Sequence, residues 1–135
     1  REVQEMKYKI LIVDDNADTR EMLSLLLELE HFKVVTAEDG EVGLRVAEAE
    51  RPDLVITDIN MPRVSGIEMI QRLRKQNRFQ QIPIVTITAH GSRVRSEAKA
   101  AGADLTLPKP VEIDSLVDDI RMLLGIERTE LASAC

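Results

Sequence analysis

Ile10-Leu11-Ile12-Val13-Asp14-Asp15 decides the fold: four aliphatic residues in a row, halted by two carboxylates. A run so short bounded by polar residues is a strand rather than a helix, and its lack of alternation marks a strand covered on both faces. The pattern then recurs. Leu54–Thr57 halts at Asp58, Ile84–Ile87 halts at Thr88, and Leu105–Leu107 leads to Lys109-Pro110. The predicted strands are Lys9–Val13, Lys33–Thr36, Asp53–Thr57, Pro83–Ile87 and Asp104–Leu107. Helix-period segments separate them at Asp18–Glu30, Gly40–Glu50, Ser65–Lys75, Ser92–Ala101 and Glu112–Leu124. Strands alternating with helices predict an α/β fold, a parallel sheet with helices on both faces. The last helix carries the clearest stripe, Ile113, Leu116, Val117, Ile120, Leu123 and Leu124.

The remaining composition narrows the function classes. At 135 residues the chain is one domain's worth, enough to bury roughly two thirds of its unfolded surface. The formal charge is −6, no basic run exists, and Tyr8, Phe32 and Phe79 are the only aromatics. Neither an electrostatic footprint nor a stacking platform for nucleic acid is present. No apolar run approaches the roughly 18–20 residues of a membrane span. The single cysteine, Cys135, has no internal disulfide partner, which fits a reducing compartment, and the expected location is the cytoplasm. A chain opening at Arg1 reads as a piece of something longer. Residues 1–6 read as an N-terminal extension, 7–124 as the folded domain and 125–135 as a tail.

In open α/β sheets, ligands sit outside the carboxyl ends of the strands. All the polar halts lie at such ends, so Asp14, Asp15, Asp58, Thr88 and Lys109 are expected to converge. Three uncompensated carboxylates would repel one another, and hard oxygen ligands with open positions favour Mg²⁺ or Mn²⁺. The cation would make Asp58 a workable nucleophile toward phosphorus, while Thr88 and Lys109 hold phosphoryl oxygens. Taken singly, each residue has a plainer reading: Asp14-Asp15 as helix caps, Asp58 as a turn initiator, Thr88 as a strand end, Lys109 as a solvated loop lysine. Their joint placement argues for the site.

The chain resembles the response-regulator receiver domains of two-component signalling. The matching pieces are Ile10–Asp15, Ala37-Glu38-Asp39-Gly40, Asp58-Ile59-Asn60-Met61-Pro62-Arg63-Val64-Ser65-Gly66, Thr88-Ala89, Gly102-Ala103-Asp104 and Lys109-Pro110. The resemblance implies a single flavodoxin-like (βα)5 domain with strand order 2-1-3-4-5, which sets Asp58 about 5 Å laterally from each neighbouring strand. It implies that Asp58 is the phosphoacceptor, that Asp14, Asp15 and the Asn60 carbonyl bind Mg²⁺ with it, and that Thr88, Ala89 and Lys109 contact the phosphoryl group. A cis Lys109-Pro110 bond is part of the pattern. The implied donor is a histidine kinase or phosphotransfer protein. The surface of the fourth helix, fifth strand and fifth helix would then engage a target or output domain, as a monomer or a phosphorylation-dependent dimer.

Two positions depart from the family pattern. Thr106 stands three places before the lysine and Val111 follows Lys109-Pro110, where receivers commonly carry aromatic residues. The fourth helix offers only Val94, Ala98 and Ala101 inward, so output is expected to depend on displacing this thinly anchored element. His90, two residues beyond Thr88, reads by itself as a solvated loop histidine, and the resemblance implies a place beside the path of attacking water. Three other readings compete. A phosphorylation-independent interaction module would keep the fold without the chemistry. A haloacid-dehalogenase-type phosphohydrolase would need a second Asp where Asn60 stands, and a flavin protein would need a phosphate-cradling first loop.

Overall fold

The computed structural model describes residues 8–89 and 91–126. Five strands, β1 (Lys9–Val13), β2 (Lys33–Ala37), β3 (Leu54–Asp58), β4 (Ile84–Thr88) and β5 (Leu105–Pro108), alternate with five helices. These are α1 (Ala17–Leu29), α2 (Gly40–Glu50), α3 (Gly66–Arg74), α4 (Ser92–Ala101) and α5 (Ile113–Leu124), with a 3₁₀ turn at Asn77–Phe79. The sheet is parallel throughout, in the order β2-β1-β3-β4-β5. Both the element order and the strand order match expectation. The predicted 1–6 extension and most of the predicted 125–135 tail lie outside the described residues.

Alternation along the strands splits the core in two. Ile10, Ile12, Leu54, Ile56, Val85 and Ile87 face α1 and α5, meeting Leu23 and Leu27 from the first and Leu116, Val117 and Ile120 from the second. Leu11, Val13, Val55 and Ile84 face α2, α3 and α4, meeting Ala47, Met69, Ile70, Leu73 and Ala98. The helices are unequally held. A buried Leu, Ile or Val contributes about 2 kcal/mol of transfer free energy; α5 buries three of them, whereas α4 buries only Ala98.

Three strands begin one residue later than the sequence predicted. Asp53 and Asp104 spend their side chains on neighbouring strands: Asp53 Oδ2 accepts from the Lys9 amide at 2.7 Å and Asp104 Oδ2 from the Ile84 amide at 2.8 Å. Each carboxylate thus satisfies the amide of another strand's first residue, while its own backbone amide donates to that same residue's carbonyl, Asp53 to Lys9 at 2.7 Å and Asp104 to Ile84 at 2.8 Å. Gly102 closes α4 with φ of 125°, in the C-cap role its sequence position suggested.

Candidate functional site

The strand ends deliver the expected residues to one edge of the sheet. β1 ends beside β3 with Val13 paired to Thr57, and β3 ends beside β4 with Asp58 paired to Ile87. Asp14, Asp15 and Asp58 each offer a carboxylate oxygen, and these atoms all lie within 4.8 Å of one another. Lys109 Nζ is 3.1 Å from Asp58 Oδ2 and 3.8 Å from Asp14 Oδ2. Its backbone amide is held by the Thr88 carbonyl at 3.0 Å, and the Lys109-Pro110 bond is cis. Thr88 is buried at the end of β4. Asn60 is exposed in the loop after β3, and Ala89 is exposed just past β4. His90 lies outside the described residues.

The plainer readings of Asp14 and Asp15 lose their ground here. Asn16 caps α1, its side chain accepting from the Thr19 amide at 3.0 Å. Asp14 instead accepts from the Asn16 amide through Oδ1 at 2.8 Å, leaving Oδ2 toward the cluster. On Asp58 the division is similar: Oδ1 accepts from the Ile59 amide at 2.7 Å and Oδ2 faces Lys109. One oxygen of each carboxylate is fixed by backbone, and the other is available for chemistry.

Electrostatics fit a cation site. Burial pushes the Asp14 carboxyl above its ordinary value; the Asn16 amide and Lys109 oppose this, and the charges of Asp58 and Asp15 reinforce it. Burial also works to lower the Lys109 ammonium, but its hydrogen bond to Asp58 and the charges of Asp58, Asp14 and Asp15 outweigh burial and raise it. Among the described residues, Lys109 is the only cation in ion-pair contact with these three carboxylates. Arg20 reaches only the Asp14 backbone carbonyl, at 2.6 Å. Clustered carboxylates with one ammonium between them form a donor set suited to a hard divalent ion.

The chain matches the family model of the response regulator receiver domain over residues 10–121. It belongs to that family. The receiver domain is similar to the response regulator MprA of Mycolicibacterium vanbaalenii, 38% identical over 120 residues that cover 88% of this chain and 51% of that protein. Among solved structures it is similar to the chemotaxis protein CheY4 of Vibrio cholerae, at 34% identity and a TM-score of 0.82, covering 86% of this chain and 98% of that one. It is also similar to the receiver domain of a sensor histidine kinase from Pseudomonas aeruginosa, solved with a magnesium ion coordinated in its active-site cleft. There identity is 26%, the TM-score 0.82, and coverage 87% of this chain and 98% of that one. The receiver domain spans about half the length of the curated relatives it matches. It is a two-component signalling domain of the phosphoacceptor type rather than a conventional turnover enzyme. Among the described residues no helix is long and apolar enough to cross a membrane.

Sequence reasoning missed the supports of the site. Arg63 donates through Nε and Nη2 to Asp39 Oδ2, at 3.2 and 2.9 Å. Gly66 closes the loop after β3, its amide donating to the Ile59 carbonyl at 2.8 Å. Both lie within the stretches that carry the family resemblance, but nothing in their spacing reveals what they bind.

Proposed function

We propose that this receiver domain takes a phosphoryl group from the phosphohistidine of a histidine kinase or phosphotransfer protein onto Asp58. Mg²⁺, or Mn²⁺ in its place, would be held by Asp14, Asp15, Asp58 and the Asn60 carbonyl, and the phosphoryl oxygens by Thr88, Ala89 and Lys109. The observation that carries this reading is the three-carboxylate cluster with Lys109 Nζ 3.1 Å from Asp58 Oδ2. The bound cation supplies charge compensation, offsetting repulsion between the carboxylates and the incoming phosphoryl group.

The chain's own residues divide the remaining work. The Ile59 amide fixes Asp58 Oδ1, so Oδ2 is the attacking atom. A new Oδ2–P bond forms as the donor's N–P bond breaks, and the electron pair of that bond returns to the imidazole nitrogen. The Lys109 ammonium, bonded to Oδ2 beforehand, follows the charge onto a phosphoryl oxygen. The Thr88 hydroxyl, at the adjacent strand end, accompanies it and couples β4 to the product. The same site would accept small donors and hydrolyse its own acyl phosphate.

Residues 7–124 form the functional unit in this proposal, acting in the cytoplasm. The face built from α4, β5 and α5 would engage a target protein or output domain, as a monomer or a phosphorylation-dependent dimer. Intact-mass measurement after incubation with acetyl phosphate and Mg²⁺ tests the central step. One labile phosphoryl adduct is expected on the wild type and none on Asp58→Asn. An adduct that survives Asp58→Asn, or a wild type that forms no adduct and binds no beryllofluoride, overturns the reading.

A further inference from the structure

We infer that Arg63 and Asp39 form a strap that holds the loop after β3 in its ligating shape, making both of them positioning residues for the cation. The inference rests on the proposed role of the Asn60 carbonyl. Asn60 lies in the loop that joins Asp58 to α3, and that loop is tied down at several points. The Gly66 amide donates to the Ile59 carbonyl at 2.8 Å and closes the loop on itself. The Gly40 amide donates to the Val64 carbonyl at 3.2 Å, joining the loop to the start of α2. A Cβ on Gly40 would lie 2.3 Å from that carbonyl oxygen, so the two backbones meet without space for a side chain.

Arg63 adds the only tie in this set made by a charged side chain. Its backbone is left-handed, with φ of 66°, a conformation that non-glycine residues adopt only when their surroundings impose it. Its guanidinium turns back to Asp39 Oδ2, with both Nε and Nη2 engaged. Asp39 is no ordinary surface partner, since it is only 1% exposed whereas the Arg63 side chain is 66% exposed. Its other oxygen, Oδ1, accepts from the Val42 amide at 2.9 Å and caps α2. One carboxylate therefore joins the α2 terminus to the cation loop. An exposed pair of mobile side chains would contribute little to order. Here one end is buried and fixed at a helix cap, so the loop takes its position from α2.

The division of labour on Asp39 provides the test. An asparagine there keeps a good helix cap, but with its carbonyl oxygen on the Val42 amide its NH2 group takes the place of Oδ2 and faces the Arg63 guanidinium donor to donor. Mg²⁺ affinity is measured by calorimetry on the unphosphorylated domain, with the backbone amide shifts of residues 59–66 followed in parallel. Arg63→Ala and Asp39→Asn are each expected to weaken Mg²⁺ binding roughly tenfold, the lower end of what losing an outer-shell partner costs a metal site. The double variant should bind no more weakly than either single one, and Arg63→Lys should recover part of the loss. Wild-type affinity in Arg63→Ala overturns the strap, as do losses that simply add in the double variant. A wild type that binds no Mg²⁺ at all overturns the proposed function and this inference with it. Binding by the wild type, lost in Asp58→Asn but unaffected in Arg63→Ala, overturns the strap alone.

Discussion

The Thr86 hydroxyl donates to the Thr106 hydroxyl at 2.8 Å, joining β4 to β5 beneath α4. The two residues are register partners, and Thr57 pairs with Thr86 on the other side, so three threonines line up across β3, β4 and β5. By strand alternation all three face the α2–α3–α4 layer. An aromatic residue at position 106 would bring bulk to this row, whereas here a bonded pair of hydroxyls lies one level below the Asp58 carboxylate.

Thr106→Val removes the acceptor of that bond while keeping the side-chain shape. Thr86 is fully buried and retains only the Leu105 carbonyl, at 3.4 Å, as a fallback. The expected loss is about 1 kcal/mol of stability in urea denaturation, the usual scale for a buried neutral hydrogen bond. Mg²⁺ affinity should stay at the wild-type level. A neutral effect on stability would mean that the Thr86–Thr106 bond contributes nothing net to the fold.

The uneven anchoring of α4 sets a second expectation. At its C-terminal end Arg74 donates to the Gly102 carbonyl through Nε and Nη2, at 3.1 and 2.7 Å. At its N-terminal end Gly91 provides no side-chain cap. Amide hydrogen exchange should therefore be fastest in the first turn of α4 and should change there on binding beryllofluoride. A Cβ on Gly91 meets nothing within 4 Å, so Gly91→Ser can add the missing cap, worth on the order of a few tenths of a kcal/mol. It should slow that exchange and shrink the beryllofluoride response. An α4 as protected as α5, with and without beryllofluoride, would contradict displacement as the output.

The sheet and its chemical edge were legible because they depend on local pattern: short aliphatic runs, each halted by a polar residue at the same end. The side-chain contacts that tie one strand to another were not legible. Asp53 and Asp104 read as strand residues because nothing local shows that their carboxylates would satisfy amides on other strands. Asp14 and Asp15 left capping open as an alternative, and only the structure assigns the cap to Asn16. The Arg63–Asp39 contact joins residues 24 positions apart, with no periodicity to announce it. Long-range polar contacts away from the strand ends are specified by the fold as a whole, and windows of sequence do not reveal them.

Ionisation of Asp14 opposes the cation-free fold. Its carboxyl is raised above its ordinary value of 3.8, chiefly by burial. A carboxyl raised on folding binds its proton more tightly in the folded state. It therefore contributes stability below its unfolded value and loses that contribution as pH rises through the folded value. At neutral pH its ionised form is a net cost. Asp14→Asn keeps an acceptor for the Asn16 amide and removes the charge. Without Mg²⁺ it should be more stable than wild type at pH 7. That gap should close as pH falls below the raised value, and added Mg²⁺ should stabilise the wild type alone. Thermal denaturation at two pH values, with and without Mg²⁺, checks all three signs. An Asp14→Asn protein less stable than the wild type at pH 7 without Mg²⁺ would show that the charge is compensated within the fold.

Gly66 is where site and scaffold meet most closely. A Cβ there would lie 2.2 Å from the Asp58 carbonyl oxygen and 2.9 Å from the Ile59 Cα. Both are backbone atoms, so neither can rotate aside as a flexible side chain would. Gly66→Ala must push β3's end and the start of α3 apart, stretching the bond from the Gly66 amide to the Ile59 carbonyl. Overpacking in a buried site costs about 1–3 kcal/mol, and two backbone clashes place this case at the upper end. Because the atoms displaced belong to Asp58 and Ile59, the Ile59 amide should lose its hold on Asp58 Oδ1. Phosphorylation by acetyl phosphate should then fall more than tenfold at temperatures where the variant remains folded by circular dichroism. A folded variant with wild-type phosphorylation would show that the proposed role of Asp58 does not depend on this close approach.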